Sequence, residues 1–366
     1  MKIYLVGGAV RDELLERPIK EKDYVVVGST PEQMSELGYQ QVGSDFPVFL
    51  HPITKDEHAL ARTERKSGQG YTGFICDFGP EISLEEDLLR RDLTVNAIAK
   101  DDDGSLIDPY GGQKDLENRI LRHVSSAFSE DPLRVLRVAR FAARYKEYNF
   151  TIATETWHLM QTMVANDELK TLTKERIWLE IEKTIQDNGL GHFLNTISAL
   201  GAREFVSPYI PEWDQAAYGK FQSALSRLEK NDELDGLAQF SLACYFSGTC
   251  LIQLEQAKRF KVPNIYLESS KELIANLDLL SKESKTPDEW LIILQNIDAW
   301  RRPEKLERFC YICSKVSDNL RALCDKLTQN FLATRNIDVQ EIIADGYQGK
   351  AIQEQLKLRR LKAMQN

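Results

Sequence analysis

Cysteine and histidine are both scarce in this chain: six of the first and five of the second among 366 residues. The cysteines stand apart at 76, 244, 250, 310, 313 and 324, a pattern of reduced cytosolic thiols rather than of a disulfide framework. Cys310 and Cys313 form a lone C-x-x-C with no second pair and no neighbouring histidine. They read as two thiols one turn apart on a helix, not as half of a zinc site. The histidines are His51, His58, His123, His158 and His192. None lies beyond 192, which excludes a histidine-ligated metal from the second half of the chain. No apolar run approaches the roughly 20 residues of a membrane span. The opening "MKIYLVGG" lacks the long apolar segment of a secretory signal, so a cytoplasmic protein is expected. Net positive charge is missing too: 47 Lys and Arg face 56 Asp and Glu, for a balance of −9. That argues against a protein that coats nucleic acid non-specifically, while leaving room for a local basic surface. There is no internal repeat and no long low-complexity tract.

A hydrophobic fraction of 42% allows a sizeable core, and the length suggests two or three domains. "KIYLVGG" and "KDYVVVG" are apolar, β-branched and bounded by glycine, so both read as strands. "GAVRDELLERP" between them has helical spacing. "QVGSDFPVFLHP" and "EHALARTER" read as further strands. The stretch from Arg65 to Pro80 is glycine-rich and reads as a mobile loop. Ser83, with Glu86 three residues on, is a capping-box pattern that opens a helix. From about Glu130 the 3.6-residue period takes over. The expected fold class is α+β: a head with a small mixed β-sheet and helices, followed by an all-α remainder. "VSPYIPEWD", with its two prolines, is the best break inside the helical part.

Glu21 and Asp23 sit at the start of the second strand. Alternate residues of a strand share a face, so both carboxylates are expected to project the same way. Such a pair repels itself unless something neutralises it. Hard oxygen ligands select Mg²⁺, which completes its shell with waters and phosphates. Gly7 and Gly8 let backbone N–H groups approach a triphosphate, and Arg11 is placed to reach the same phosphates. Alone, the two acids fit a solvated strand edge better. The G-G-x-x-R-D setting, ending in Asp12, reverses that preference.

At this point the residues resemble the nucleotidyltransferase superfamily, in the branch of tRNA nucleotidyltransferases and poly(A) polymerases, and within it the CCA-adding enzymes. Gly7, Gly8, Arg11 and Asp12 match the first motif. Glu21 and Asp23 match the metal-binding D-x-D, with Glu in the first place. "RRDLTVNA", from Arg90 to Ala97, matches R-R-D-x-T-x-N-A completely. The resemblance implies that Arg91 contacts the nucleotide and that Asp92 and Asn96 are supports. "DPYGGQKDL", Asp108 to Leu116, matches a hinge-like third motif.

In "EDPLRVLRVARFAAR", Asp131 and Pro132 suit a helix N-cap and first turn. Arg134, Arg137, Arg140 and Arg144 then fall within roughly a third of the helix circumference. Few acids lie nearby in the sequence, so a polyphosphate or RNA is expected opposite them. Glu130, Asp131 and Arg134 match the family's E-D-x-x-R. The resemblance implies that Asp131 and Arg134 read the base, while Arg137 and Arg140 hold the triphosphate. One such pair can accept both C and A, because each presents an exocyclic amine beside an unprotonated ring nitrogen. U and G present the reverse pattern, and a wrongly paired buried group costs about 1–3 kcal/mol. Glu175 and Arg176, in the following helix, are expected to serve as scaffold.

Many relatives carry an additional phosphohydrolase domain built on His-Asp metal ligands. Here Tyr245 and Phe246 of "CYFSGTC" stand at the His-Asp places, so no phosphatase or cyclic phosphodiesterase activity is expected. From Lys350 to Asn366 there are five basic residues and one acidic, a local balance of +4. That segment suits tRNA phosphates and suits an ordinary solvated helix equally well.

The resemblance therefore implies template-independent addition of C, C and A to the 3′ end of tRNA from CTP and ATP, with pyrophosphate leaving. Glu21 and Asp23 would be catalytic and hold Mg²⁺. Gly8, Arg11, Arg91, Arg137 and Arg140 would bind the triphosphate. Residues 1–122 would form the catalytic head, 123–205 a helical neck and 206–366 a helical body and tail for tRNA. No membrane is involved, and a monomer is favoured. The alternatives are a poly(A) polymerase, an enzyme adding only CC or only A, and a tRNA-binding protein that has lost catalysis.

Overall fold

The first strand, β1 (Lys2–Val6), leads into α1 (Gly8–Leu14), and the chain returns through β2 (Asp23–Val27). β1 and β2 pair antiparallel from Lys2↔Val27 to Val6↔Asp23. The computed structural model describes residues 1–42, 48–66, 74–211, 214–229 and 234–365. Next come α2 (Pro31–Glu36), β3 (Gln40–Val42), β4 (Val48–Leu50) and β5 (Glu57–Leu60). They are followed by β6 (Arg62–Lys66), β7 (Phe74–Phe78), α3 (Leu84–Leu89), β8 (Ala99–Lys100) and β9 (Leu106–Ile107). Seven strands form one sheet in the order β3-β4-β5-β2-β1-β8-β9. β2 and β5 run parallel while their neighbours run antiparallel, so the sheet is mixed.

The apolar run of β2 follows from its central place. Val25 packs with Val6, Leu84 and Leu88 on one face, and Val26 packs with Met34, Phe49 and Leu60 on the other. A strand buried on both faces has no polar alternation to keep. α3 opens with the expected capping box: Ser83 accepts from the Glu86 N–H, and Glu86 accepts from the Ser83 N–H. The stretch expected as a loop divides in two. β7 pairs antiparallel with β6, from Arg62↔Phe78 to Lys66↔Phe74. "FICDF" is aromatic and β-branched, and the glycines before it masked that preference. Residues 67–73 of the expected loop lie outside the described residues.

After α4 (Gly112–Glu117) and β10 (Ile120–Leu121) come α5 (Leu133–Arg144), β11 (Thr151–Ile152), α6 (Thr154–Ala165), α7 (Lys174–Gln186) and α8 (Leu190–Ala199). β11 interrupts the helical period to pair in parallel with β10. The chain forms two compact units. One comprises Met1–Glu180 with His192–Phe205, and the other Ile181–Gly191 with Val206–Asn366.

The second unit continues with α9 (Gln215–Leu225), α10 (Asp235–Phe246), α11 (Leu251–Ala257), α12 (Asn264–Leu280) and α13 (Pro287–Asn296). It ends with α14 (Pro303–Val316), α15 (Asp318–Thr334), α16 (Val339–Ala344) and α17 (Lys350–Ala363). Phe240, Leu273, Ile293, Phe309 and Leu327 are fully buried there. No helix among the described residues is long and apolar enough to cross a membrane.

Candidate active site

β1 delivers the chain to Gly7, whose φ of 69° glycine adopts freely. A Cβ at Gly7 would lie 2.8 Å from Nη1 of Arg91. The glycine thus turns the chain into α1 and leaves space for a guanidinium. α1 carries Arg11 and Asp12 inward, and both are buried. Arg11 Nε and Nη2 each donate to one Asp12 oxygen at 3.1 Å, and Arg11 Nη1 donates to Asn96 Oδ1. The Tyr145 hydroxyl at 3.1 Å and Arg144 Nη2 at 3.4 Å also donate to Asp12. Burial opposes ionisation of Asp12, but these partners hold its carboxyl below the usual range. Burial pushes the Tyr145 hydroxyl up to about 12, so it stays a donor.

Asp23 opens β2, level with Val6 on one side and Glu57 on the other. Glu21 precedes the strand, which corrects the expectation that the two acids share one pleated face. β1 ends at Val6, so residues before Asp23 have no antiparallel neighbour to hold them extended. The acids are still close enough to interact. Surrounding protein raises the Asp23 carboxyl, Arg91 draws it back, and the Glu21 charge raises it again. Neither carboxylate receives a hydrogen bond from the described residues. Oxygen donors left uncompensated in this way suit a hard divalent cation, for which one or two carboxylates are the usual protein share. No group of three or more His, Cys, Asp or Glu side chains that could hold a metal occurs among the described residues. A cation held by these two acids would take the rest of its shell from substrate oxygens and water.

Arg90 and Arg91 lie just past the end of α3, and the fully buried Asp87 fixes both. It accepts from Arg90 Nη2 at 2.7 Å, from Arg91 Nη2 at 3.2 Å and from the Arg62 N–H at 3.3 Å. Arg91 Nη1 donates to the Asn96 carbonyl at 3.3 Å. Arg91 Nε is buried with no hydrogen-bond partner among the described residues. An unmet buried donor costs about 1–3 kcal/mol, so this one has room for an acceptor that the described residues do not supply.

Asn96 joins the arginines. Its Nδ2 donates to Asp92 Oδ1 at 2.9 Å, and Asp92 Oδ2 accepts from Arg137 Nε at 2.8 Å. Glu180 Oε2 accepts from Arg140 Nε at 2.7 Å, and Glu180 Oε1 lies 3.9 Å from Arg137 Nη1. One continuous path therefore runs Asp12–Arg11–Asn96–Asp92–Arg137–Glu180–Arg140, with Arg91 attached at the Asn96 carbonyl. Burial would raise Asp92, but Arg137, with hydrogen bonds from Asn96 and Arg137, holds it well below the usual carboxylate range. Asp92 and Glu180 in turn hold Arg137 above its ordinary value.

This corrects a second expectation, that the arginine face of α5 lacks acids. The acids arrive from 45, 40 and 132 residues away in the sequence, for Arg137, Arg140 and Arg144 respectively. Arg140 is also less accessible than a surface stripe implies, being 6% exposed and stacked 4.4 Å from the Phe141 ring centroid.

α5 starts at Leu133, one residue later than expected, with Pro132 at its cap. Asp131 Oδ1 accepts from the Leu133 N–H at 3.1 Å. Arg134 points back and donates to the Ala127 carbonyl at 2.9 Å and the Arg90 carbonyl at 2.6 Å. Asp131 is held instead by Arg176 of α7, at 3.1 and 2.9 Å to its two oxygens. Sequence reasoning passed over Glu180 and gave Arg176 only a scaffold part, because nothing local marks the distant partner of either.

In the second unit the Tyr245 hydroxyl donates to Asp278 at 3.2 Å, and burial pushes the Cys244 thiol up to about 12. On the tail, Lys357 pairs with Asp288 at 2.7 Å, Arg359 pairs with Asp345, and Arg360 lies 3.6 Å from the centroid of the Trp300 ring. Lys350 and Lys362 have no ion-pair partner among the described residues.

Residues 3–122 match the family described as the poly A polymerase head domain. Residues 149–213 match the family described as the probable RNA and SrmB-binding site of polymerase A. The chain is 43% identical to the multifunctional CCA protein of Haemophilus influenzae (strain PittGG), over 100% of this chain and 98% of that protein. Among solved structures it is similar to the Bacillus stearothermophilus CCA-adding enzyme in complex with CTP. The TM-score there is 0.73 at 23% identity, over 99% of this chain and 88% of that one. It is likewise similar to the Thermotoga maritima CCA-adding enzyme complexed with tRNA, with a TM-score of 0.67 at 21% identity, over 100% of this chain and 88% of that one. At such identities the structural likeness establishes the fold.

Proposed function

Because the chain belongs to the family of the multifunctional CCA proteins, we propose that it adds C, C and A to the 3′ end of tRNA. The substrates are CTP and ATP, no nucleic-acid template is used, and pyrophosphate leaves. One observation carries this reading: the unbroken arginine and acid network that reaches the edge of Asp23, beside a buried Arg91 Nε with no hydrogen-bond partner among the described residues. Such an array of cations fits a polyphosphate.

Glu21 and Asp23 hold a divalent metal, Mg²⁺ in this reading, which when bound offsets phosphate charge and activates the attacking hydroxyl. The Gly8 backbone, Arg11, Arg91, Arg137 and Arg140 bind the triphosphate, with Arg140 the deepest of the set. Asp12, Asp87, Asp92, Glu180 and Asn96 fix those guanidinium groups before the nucleotide arrives, so the charge field needs little reorganisation. The terminal ribose hydroxyl of tRNA attacks the α-phosphate. The protein contributes position and charge rather than covalent chemistry. Asp131 accepts from the exocyclic amine of C or A, and Arg134 donates to the adjacent ring nitrogen.

We assign 1–122 to the catalytic head, 123–205 to the neck and 206–366 to the body and tail that meet tRNA in the cytoplasm. Lys350 and Lys362 are the tail cations left for phosphates. The test is incubation of end-trimmed tRNA with each labelled nucleotide, followed by sequencing of the product ends. CCA ends from CTP and ATP, with nothing from UTP or GTP, are expected. A run of A without C identifies a poly(A) polymerase instead.

A further inference from the structure

The base-reading pair has a third member. We propose that Arg176 is a positioning residue that determines nucleotide selectivity, by clamping Asp131 so that a single acceptor direction faces the incoming base. This rests on the reading of Asp131 as a base reader.

A carboxylate offers about four lone-pair sites. On Asp131, Oδ1 accepts from the Leu133 N–H at 3.1 Å and from Arg176 Nη2 at 3.1 Å, which fills it. Oδ2 accepts from Arg176 Nη2 at 2.9 Å, which leaves one site. One amine hydrogen of C or A satisfies that site. The carbonyl oxygen of U or G would set lone pairs against lone pairs.

Arg134 is fixed in the same manner, by two backbone carbonyls. Each reader is therefore held by a group that is not substrate. The side chains of Asp131 and Arg176 are 19% and 21% exposed, so the pair is confined and still open along one edge. Arg176 reaches Asp131 from α7, a different helix from the one Asp131 caps. Without the clamp the carboxylate turns about its own bonds and offers either oxygen. Both Arg176 contacts come from the one nitrogen Nη2; lysine keeps the charge but lacks the planar guanidinium that orients that nitrogen. Glutamine removes the charge.

The experiment measures kcat/KM on end-trimmed tRNA for each of the four nucleotides, in the wild type, Arg176→Lys, Arg176→Gln and Asp131→Ala. Melting temperature and tRNA affinity report on the fold. The CTP-to-UTP ratio is expected to fall about tenfold in Arg176→Gln, which corresponds to about 1.4 kcal/mol. A smaller but measurable fall is expected in Arg176→Lys, through a loss on CTP larger than any loss on UTP. A purely structural role lowers all four nucleotides alike, and that result overturns the clamp. If the glutamine variant does not fold, the lysine variant decides, and an unchanged ratio there overturns the proposal. Selectivity lost in Asp131→Ala but kept in both Arg176 variants refutes the clamp alone. Selectivity kept in Asp131→Ala refutes the base-reading assignment as well.

Discussion

Both units of the molecule bury charge, and they do so differently. In the second unit buried ions form short local sets. Arg308 pairs with Glu272 at 2.8 Å, which also takes Lys305 at 3.0 Å, and Lys315 lies 4.1 Å from the Tyr311 ring centroid with Glu229 nearby. In the first unit Asp12, Arg11, Asn96, Asp92, Arg137, Glu180 and Arg140 form one long path. Each unit also holds a buried arginine Nε with no hydrogen-bond partner among the described residues, Arg91 in the first and Arg308 in the second. Short sets explain themselves through folding, since breaking a buried pair costs about 3–5 kcal/mol. The long path does not, because burying so many ions is a poor way to gain stability. It makes sense as a site prepared for a ligand.

The largest effect expected from disturbing that contrast is at the acidic edge. Asp23→Ala should lower nucleotide incorporation by on the order of a thousandfold or more, the scale on which single charge-stabilising groups act. Its affinity for tRNA, measured by filter binding, should survive. Retained incorporation shows that the acidic pair is misassigned.

Next comes a matched comparison of two buried acids. Glu180→Gln and Glu272→Gln should each destabilise the chain, by about 3 kcal/mol if the neighbouring charges cannot relax. Only Glu180→Gln should raise KM for CTP and ATP, because only Glu180 holds arginines of the path. A shift in KM from Glu272→Gln erases the distinction between the long path and the short sets.

A smaller effect concerns acid. Asp12, Asp87 and Asp92 all have carboxyls held below their ordinary values. Their stabilising contribution is complete above the unfolded value of about 3.9 and disappears as pH falls through the lower folded values. Urea midpoints from pH 5 downward should therefore fall for the wild type and fall less steeply for Asp92→Asn. The last expectation is a null result: no phosphate should be released from a cyclic 2′,3′-nucleotide with any divalent metal. Metal-dependent release refutes the reading of Tyr245 and Phe246 as replacements for metal ligands.

What could be read in advance follows a physical divide. Local signals were legible: the apolar runs of β1 and β2, the Ser83–Glu86 capping box, the helical period after Glu130. So was the presence of Arg11, Arg91 and Asp131 in recognisable patterns. Long-range pairings were not. Glu180 answers Arg140 across 40 residues and Arg176 answers Asp131 across 45, and no spacing rule reaches that far. Glu21 was misplaced because the end of β2 is set by the length of β1 and not by the residues themselves. β7 was missed because composition averaged over a glycine-rich stretch hid its two phenylalanines and its isoleucine.

The stacking of Arg360 on Trp300 gives the chain a built-in optical probe. Trp300 also donates to Thr334 at 3.2 Å, so its indole is covered by one helix and anchored to another. When α17 lifts away the ring meets water and its emission moves to longer wavelength. Once the other four of the five tryptophans are replaced by phenylalanine, the colour of Trp300 registers whether the C-terminal helix is seated, without a label, and does so while RNA is added or withdrawn.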